Sequence, residues 1–277
     1  MNILLTGATG FIGSHLLESL LKNKNYNIII LKRSFSNTWR INHLLKNISH
    51  NLKIYNVDEY SLPFIFENNK IDMIIHLATF YRKNHSIEDI DPMVQSNIIF
   101  PTYLLDIAVQ YKVPYFINTD TFFTTGLYAQ SKKTFKYLLK DYICTRKIKG
   151  ANVKIFSPFG PKDNEDKVIP FLIKHFIDGT QNEALLSNPH SKLYFTPVEE
   201  IVRRYEDLIF HIDNWNCANT FNFHLHEEYT LQEIYQMIES VSLLYNYNYR
   251  VQNIFSPIVQ GLINTYSYYK KREYNEN

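Results

Sequence analysis

Thr6-Gly7-Ala8-Thr9-Gly10-Phe11-Ile12-Gly13 is the stretch whose reading decides the fold. It follows the apolar run Asn2-Ile3-Leu4-Leu5 and opens into His15-Leu16-Leu17-Glu18-Ser19-Leu20-Leu21, whose apolar residues recur at helical spacing. A glycine-rich turn between a strand and a helix suits a phosphate. The glycines supply positive φ and close backbone approach, while the N–H groups and the positive dipole end of the first helical turn face the anion. A bare tight turn would look similar, but strand, glycines and helix in this order at one place favour the ligand-binding reading.

Working outward, 277 residues with 45% hydrophobic content suffice for one doubly wound nucleotide-binding domain and a smaller appended lobe. We expect an α/β chain with a Rossmann-type doubly wound parallel sheet over residues 1–155 and a substrate lobe over 156–277. The net charge of +2 makes no electrostatic case for nucleic acid or an anionic membrane as partner. The 21 tyrosines, beside many Asn, Lys and Ile, read as compositional bias rather than an aromatic binding surface. Cys144 and Cys217 have no metal spacing and fit a reducing compartment. No signal peptide is recognisable and no apolar run approaches the ~18 residues of a membrane span, so a cytoplasmic location is expected.

Asn27-Ile28-Ile29-Ile30-Leu31 is an uninterrupted apolar run, as in a strand buried on both faces, and it ends in Lys32-Arg33-Ser34. An acidic residue about 20 positions past the glycines would bond a ribose 2′-OH, whereas basic residues accommodate a 2′-phosphate, so NADP(H) is expected rather than NAD(H). Arg40 is a further phosphate contact to consider. Leu52-Lys53-Ile54-Tyr55 reads as a third strand leading to Asp58, and Asp72 to Ala78 as a fourth. His76, closing that buried strand, reads as a packed, hydrogen-bonded residue rather than a catalyst. Tyr81 to Asp91 is an aperiodic loop bordering the site, Pro92 to Val109 an amphipathic helix, and Tyr115 to Thr121 a fifth strand. Tyr128 and Lys132 stand at i, i+4 on the next helix, on one face, where the ammonium should lower the phenol pKa.

The spacing Gly7-x-x-Gly10-x-x-Gly13, with His76-Leu77-Ala78 and Tyr128-x-x-x-Lys132 after it, resembles the extended branch of the short-chain dehydrogenase/reductase superfamily, which contains nucleotide-sugar epimerases, dehydratases and 4-ketoreductases. The resemblance covers roughly residues 1 to 240. It implies dinucleotide contacts from Thr6, Gly7, Gly10, Phe11, Ile12, Gly13, Lys32, Arg33, Ser34, Asp58, Leu77, Ala78, Thr79, Lys132 and Pro158, with Asp58 beside the adenine. It implies catalysis by Tyr128 and Lys132, with Thr119 on the substrate carbonyl and Asp120 as a relay. It also implies that Asn97 braces the site and, with Phe80, Phe159, Lys167 and Lys192, binds substrate, and that the chain is a homodimer.

Thr119-Asp120 resembles the Ser-Thr-Asp strand end of nucleotide-sugar 4,6-dehydratases, but Thr121 stands where their Glu base would follow, which disfavours dehydration. Phe122 to Leu127 is a shorter connection than the family usually has. Val153 to Pro161 is similar to the family's closing strands and Tyr-Gly-Pro turn, with Phe159 for Tyr; in Lys192 to Ile201, Leu193 replaces an Arg expected on the sugar diphosphate. His224-x-His226 alternates onto one strand face but lacks a third ligand, so no metal is expected. Thr230 and Glu233 form a capping box, and beyond about Ser256 a frayed helix and tail are expected. Leu31-Lys32-Arg33-Ser34 and Asn118-Thr119-Asp120-Thr121-Phe122 are similar to the paratose and abequose synthases, CDP-4-keto-3,6-dideoxyhexose 4-reductases. That implies NADPH-dependent reduction of a nucleotide-linked 4-keto deoxysugar, hexose or heptose. A redox-neutral nucleotide-sugar epimerase and a non-catalytic NADP sensor are the alternatives.

Overall fold

The computed structural model describes residues 1–46, 48–82, 84–145, 148–182, 186–212, 219–246 and 256–276. Cys217 lies outside them, and Cys144 is an exposed free thiol. Through the first half the elements alternate: β1 (Asn2–Thr6), α1 (Phe11–Lys22), β2 (Asn27–Lys32), α2 (Asn42–Lys46), β3 (Leu52–Asn56), α3 (Leu62–Glu67), β4 (Met73–His76), α4 (Ile90–Val94), α5 (Phe100–Gln110), β5 (Tyr115–Thr121), α6 (Gly126–Thr145) and β6 (Lys149–Ile155). Then come β7 (Pro158–Phe159), α7 (Val168–Ile177), β8 (Lys192–Leu193), β9 (Thr196–Pro197), α8 (Val198–Phe210), β10 (Asn219–Phe223), β11 (Tyr229–Thr230), α9 (Leu231–Asn246) and α10 (Pro257–Glu276).

The large sheet has seven strands in the order β10-β6-β5-β4-β1-β2-β3. Its order reverses direction between β1 and β4, which are parallel neighbours, and ligands of doubly wound sheets bind at such a switch point, beyond the carboxyl ends of the strands. The apolar runs are the inner strands: Ile3, Leu4, Leu5, Ile28, Ile30, Ile74, Ile75, Phe116 and Ile117 are all fully buried. Leu104, Leu105, Phe135 and Leu139 pack on the sheet from α5 and α6.

Two compact units result, Met1–Ile155 with Tyr205–Asn222 and Phe156–Arg204 with Phe223–Asn277. The segment Tyr205–Asn222 belongs to the first because it leads into β10, which joins the sheet beside β6. The second unit has its own core of Phe159, Ile169, Leu172, Ile173, Ile234, Ile238, Ile258, Leu262 and Tyr266.

Two expectations change. The segment beyond Ser256 is no frayed tail: α10 buries Ile258, Leu262, Tyr266 and Tyr269, an apolar stripe that the surrounding Asn, Ser, Lys and Tyr conceal. Pro92 to Val109 is not one α-helix, because Gln95–Ile99 forms a π turn between α4 and α5. Pro101 has no N–H and its ring crowds the carbonyl four residues back, that of Asn97; the π turn absorbs this, with the Phe100 N–H donating to the Gln95 carbonyl.

Candidate active site

At the switch point, the glycine turn is shaped by contact distances. Gly7 has φ of +74°, and a Cβ on it would lie 2.6 Å from the Ala78 nitrogen at the end of β4. A Cβ on Gly13 would lie 2.1 Å from the Gly7 carbonyl oxygen, so only glycine lets α1 approach the turn. α1 starts from Gly10, an N-cap with no side-chain hydrogen bond, leaving the helix N-terminus to the turn. These residues fit a dinucleotide pyrophosphate. Thr6 holds the turn from beneath: its Oγ1 accepts from the Ala78 N–H at 3.1 Å and bonds His76 Nδ1 at 2.8 Å. That corrects Thr6 as a ligand contact through its side chain, which is buried and occupied. His76 is fully buried beside Phe100, Phe116 and Phe135, and burial pushes its pKa well below the usual value, which keeps the imidazole neutral.

Beyond β2, Lys32 Nζ donates to Asn56 Oδ1 at 2.7 Å. Ser34 donates to Asp58 through both N–H and Oγ, and these bonds hold the Asp58 carboxyl below its ordinary range. The guanidinium of Arg33 lies 4.8 Å from the Phe35 ring centroid and that of Arg40 4.5 Å from Trp39. This end of the sheet therefore carries three cations, two resting on aromatic faces.

At the end of β5 and the start of α6 stand the groups that can do chemistry. Lys132 is 2% exposed, and burial lowers its pKa to about 8, against the opposing pull of Asp120. Tyr128 is half-buried, and burial raises its phenol to about 12; hydrogen bonds with Thr79 and Thr121 oppose the rise, while the Asp120 and Tyr81 charges add to it. This corrects the expected depression of the phenol: desolvation of the hydroxyl outweighs the hydrogen bonds that would lower it. Tyr128 is a protonated phenol throughout the physiological range. The Tyr81 ring meets it edge-on at 4.8 Å and stacks on Phe123 at 6.4 Å.

A buried polar scaffold sets these groups. The Asn97 side chain is fully buried, with Oδ1 accepting from Thr79 Oγ1 and the Phe80 N–H and Nδ2 donating to the Phe80 carbonyl and Ser131 Oγ. All four of its hydrogen-bonding positions are taken, which corrects Asn97 as a substrate contact and leaves it as the brace. Asp120 accepts from Asn152 Nδ2 at 3.0 Å and the Thr121 N–H at 2.8 Å, and Asn152 Oδ1 accepts in turn from Asn118 at 2.7 Å. Thr119 Oγ1 lies 2.6 Å from the hydroxyl of the fully buried Tyr205. Tyr205, Asn152 and Ser131 escaped sequence reading, while Tyr81 opens the loop expected to border the site. Of those three only Asn152 carried a signal, a lone amide in the strand pattern around Val153.

In the second unit, Phe159 is 2% exposed and belongs to the core, which corrects it as a substrate contact. Lys167 Nζ pairs with Asp163 Oδ1 at 2.9 Å, and its side chain is 42% exposed. Lys192 is an exposed residue of β8, whose neighbour Leu193 pairs with Tyr229, and Pro158 pairs with Thr196. β10 ends at Phe223, so His224 and His226 do not share a strand face; His224 Nδ1 bonds the Leu225 carbonyl. Thr230 and Glu233 form the expected reciprocal cap, with the Glu233 N–H donating to Thr230 Oγ1 at 3.1 Å and the Thr230 N–H to Glu233 Oε2 at 2.7 Å. Among the described residues no helix is long and apolar enough to cross a membrane.

A seven-stranded doubly wound sheet, a glycine cradle at its switch point and a Tyr-x-x-x-Lys helix after the fifth strand define a dinucleotide-binding α/β fold. Residues 3–222 match the NAD dependent epimerase/dehydratase family, and the chain belongs to that family. The chain is 30% identical over 212 residues to a CDP-abequose synthase of Salmonella muenchen, spanning 73% of this chain and 68% of that one. It is 32% identical over 193 residues to the CDP-abequose synthase of Salmonella typhimurium, spanning 62% of this chain and 58% of that one. The fold is similar to that of Bacillus cereus UDP-glucuronic acid 4-epimerase in complex with UDP-glucuronic acid and NAD, with a TM-score of 0.80 at 20% identity over 98% of this chain and 100% of that one. Bacillus anthracis dTDP-glucose 4,6-dehydratase in complex with NAD gives 0.78 at 18% identity over 99% and 98%.

Proposed function

We propose that the chain is an NADPH-dependent 4-ketoreductase of a nucleotide-activated 4-keto deoxysugar, a CDP-linked 3,6-dideoxyhexose or a heptose counterpart, serving polysaccharide precursor synthesis. The observation that carries the reading is Thr121 beside the Tyr128 phenol, an uncharged hydroxyl where a dehydratase would place a carboxylate base. A protonated phenol next to an uncharged hydroxyl is set to give a proton to a developing alkoxide. The similarity to the CDP-abequose synthases supports the sugar class.

When bound, the reduced dinucleotide supplies the hydride. Thr119 hydrogen-bonds the C4 carbonyl oxygen, and Tyr128 transfers its proton to that oxygen as negative charge develops. Thr121 Oγ1 accepts from the Phe123 N–H at 3.2 Å, so its own proton can stabilise the phenolate left on Tyr128. Lys132 adds its charge to that phenolate and holds the nicotinamide ribose, and Asp120 balances the ammonium. Lys32, Arg33, Ser34 and Arg40 form the 2′-phosphate end. The second unit, with Lys167 and Lys192, is the substrate lobe, and the chain works as a cytoplasmic homodimer.

The test is stoichiometric NADPH consumption with CDP- and dTDP-linked 4-keto deoxysugars. A reductase oxidises one NADPH per sugar. An epimerase interconverts sugars without net oxidation, and a sensor binds NADPH and does neither.

A further inference from the structure

We infer that Tyr205 is a positioning residue that fixes the direction in which Thr119 donates its hydroxyl proton; the inference rests on the reductase reading. The two oxygens lie 2.6 Å apart across 86 residues of sequence, and Tyr205 is fully buried. Either oxygen could donate, and chemistry selects the phenol, because an aryl O–H is a stronger acid than an alkyl one. A threonine hydroxyl has one proton and two lone pairs. If it accepts from Tyr205, its own proton is left for a substrate oxygen, and a donor that also accepts is the stronger for it. An isolated Thr119 would spread its proton over rotor positions, whereas the bond to a buried ring removes that freedom. Burial also pushes the Tyr205 phenol well above its ordinary value, so it stays a donor at every working pH.

The experiment is a double-mutant cycle. Tyr205→Phe keeps the ring and should lower kcat for the 4-keto nucleotide by about 5- to 20-fold with KM for NADPH unchanged, the scale of one hydrogen bond expressed in the transition state. In a Thr119→Val background the same change should cost less than about twofold, because the bond is already gone. Thr119→Ser keeps the hydroxyl and should stay within about threefold of wild type. A readout without turnover is the thermal shift produced by the 4-keto nucleotide in the presence of oxidised NADP: it should shrink in Tyr205→Phe and in Thr119→Val, and in the double no further than in Thr119→Val. Wild-type kcat in Tyr205→Phe, equal losses in both backgrounds, or Thr119→Ser as poor as Thr119→Val would overturn the inference while leaving an active reductase. A wild-type protein inactive on every 4-keto nucleotide would overturn the reductase reading, and the inference with it.

Discussion

Asn97 Nδ2 donates to Ser131 Oγ at 3.0 Å, and Ser131 lies between Tyr128 and Lys132 on α6. The same amide holds Thr79 and both backbone groups of Phe80, so one buried side chain ties the end of β4 to the Tyr-x-x-x-Lys helix. Asn97→Leu keeps the volume and strands all of these partners. It should destabilise the fold by about 2 to 4 kcal/mol, read from the urea midpoint. A change below about 1 kcal/mol would show that Asn97 braces nothing.

Lys132 gives the stability a pH dependence of definite sign. Its pKa is about 8 when folded and near 10.5 otherwise, so between these values the unfolded chain holds more protons and stability rises with pH. Below about pH 8 both states are charged and the full burial penalty applies. Relative to Lys132→Met, the wild-type unfolding midpoint should climb between pH 8 and 10. A constant difference would mean that the ammonium is not desolvated. The proposed reductase activity should in turn fall as the ammonium discharges above about pH 8.

Cofactor preference follows from the cations beyond β2. Arg33→Asp should weaken NADPH binding by about 1 to 3 kcal/mol and leave NADH nearly unchanged, measured by fluorescence titration. Wild-type protein that binds NADH as tightly as NADPH would remove the 2′-phosphate assignment.

Thr121 bears on the reaction type. Incubation with CDP-glucose or dTDP-glucose and catalytic NAD or NADP should give no 4-keto-6-deoxy product, because no carboxylate base follows Asp120. Appearance of that product would refute the distinction.

Local pattern made much of this legible. The glycine turn, the apolar runs of β1 and β2, the strand Tyr115–Thr121 and the i, i+4 pair on α6 are written in contiguous residues. What escaped depends on distant groups meeting or on desolvation. Tyr205 reaches Thr119 from α8, Asn152 reaches Asp120 across a strand pair, and the phenol of Tyr128 rises because of burial that spacing cannot report. The π turn Gln95–Ile99 interrupts what the apolar spacing reads as one helix, and Asn97 within it gains its partners only in the folded chain. α10 hid because Tyr266 and Tyr269, which looked like compositional surplus, are core residues.

The central claim is that Tyr128 gives the proton to the reduced sugar, and single-turnover oxidation of NADPH with a 4-keto deoxysugar nucleotide tests it most directly. Tyr128→Phe preserves the ring packed against Tyr81 and removes only the hydroxyl. The rate should fall by roughly 10² to 10⁴ with NADPH affinity little changed, while Lys132→Ala should impair both. A Tyr128→Phe protein that oxidises NADPH at the wild-type rate would contradict the account.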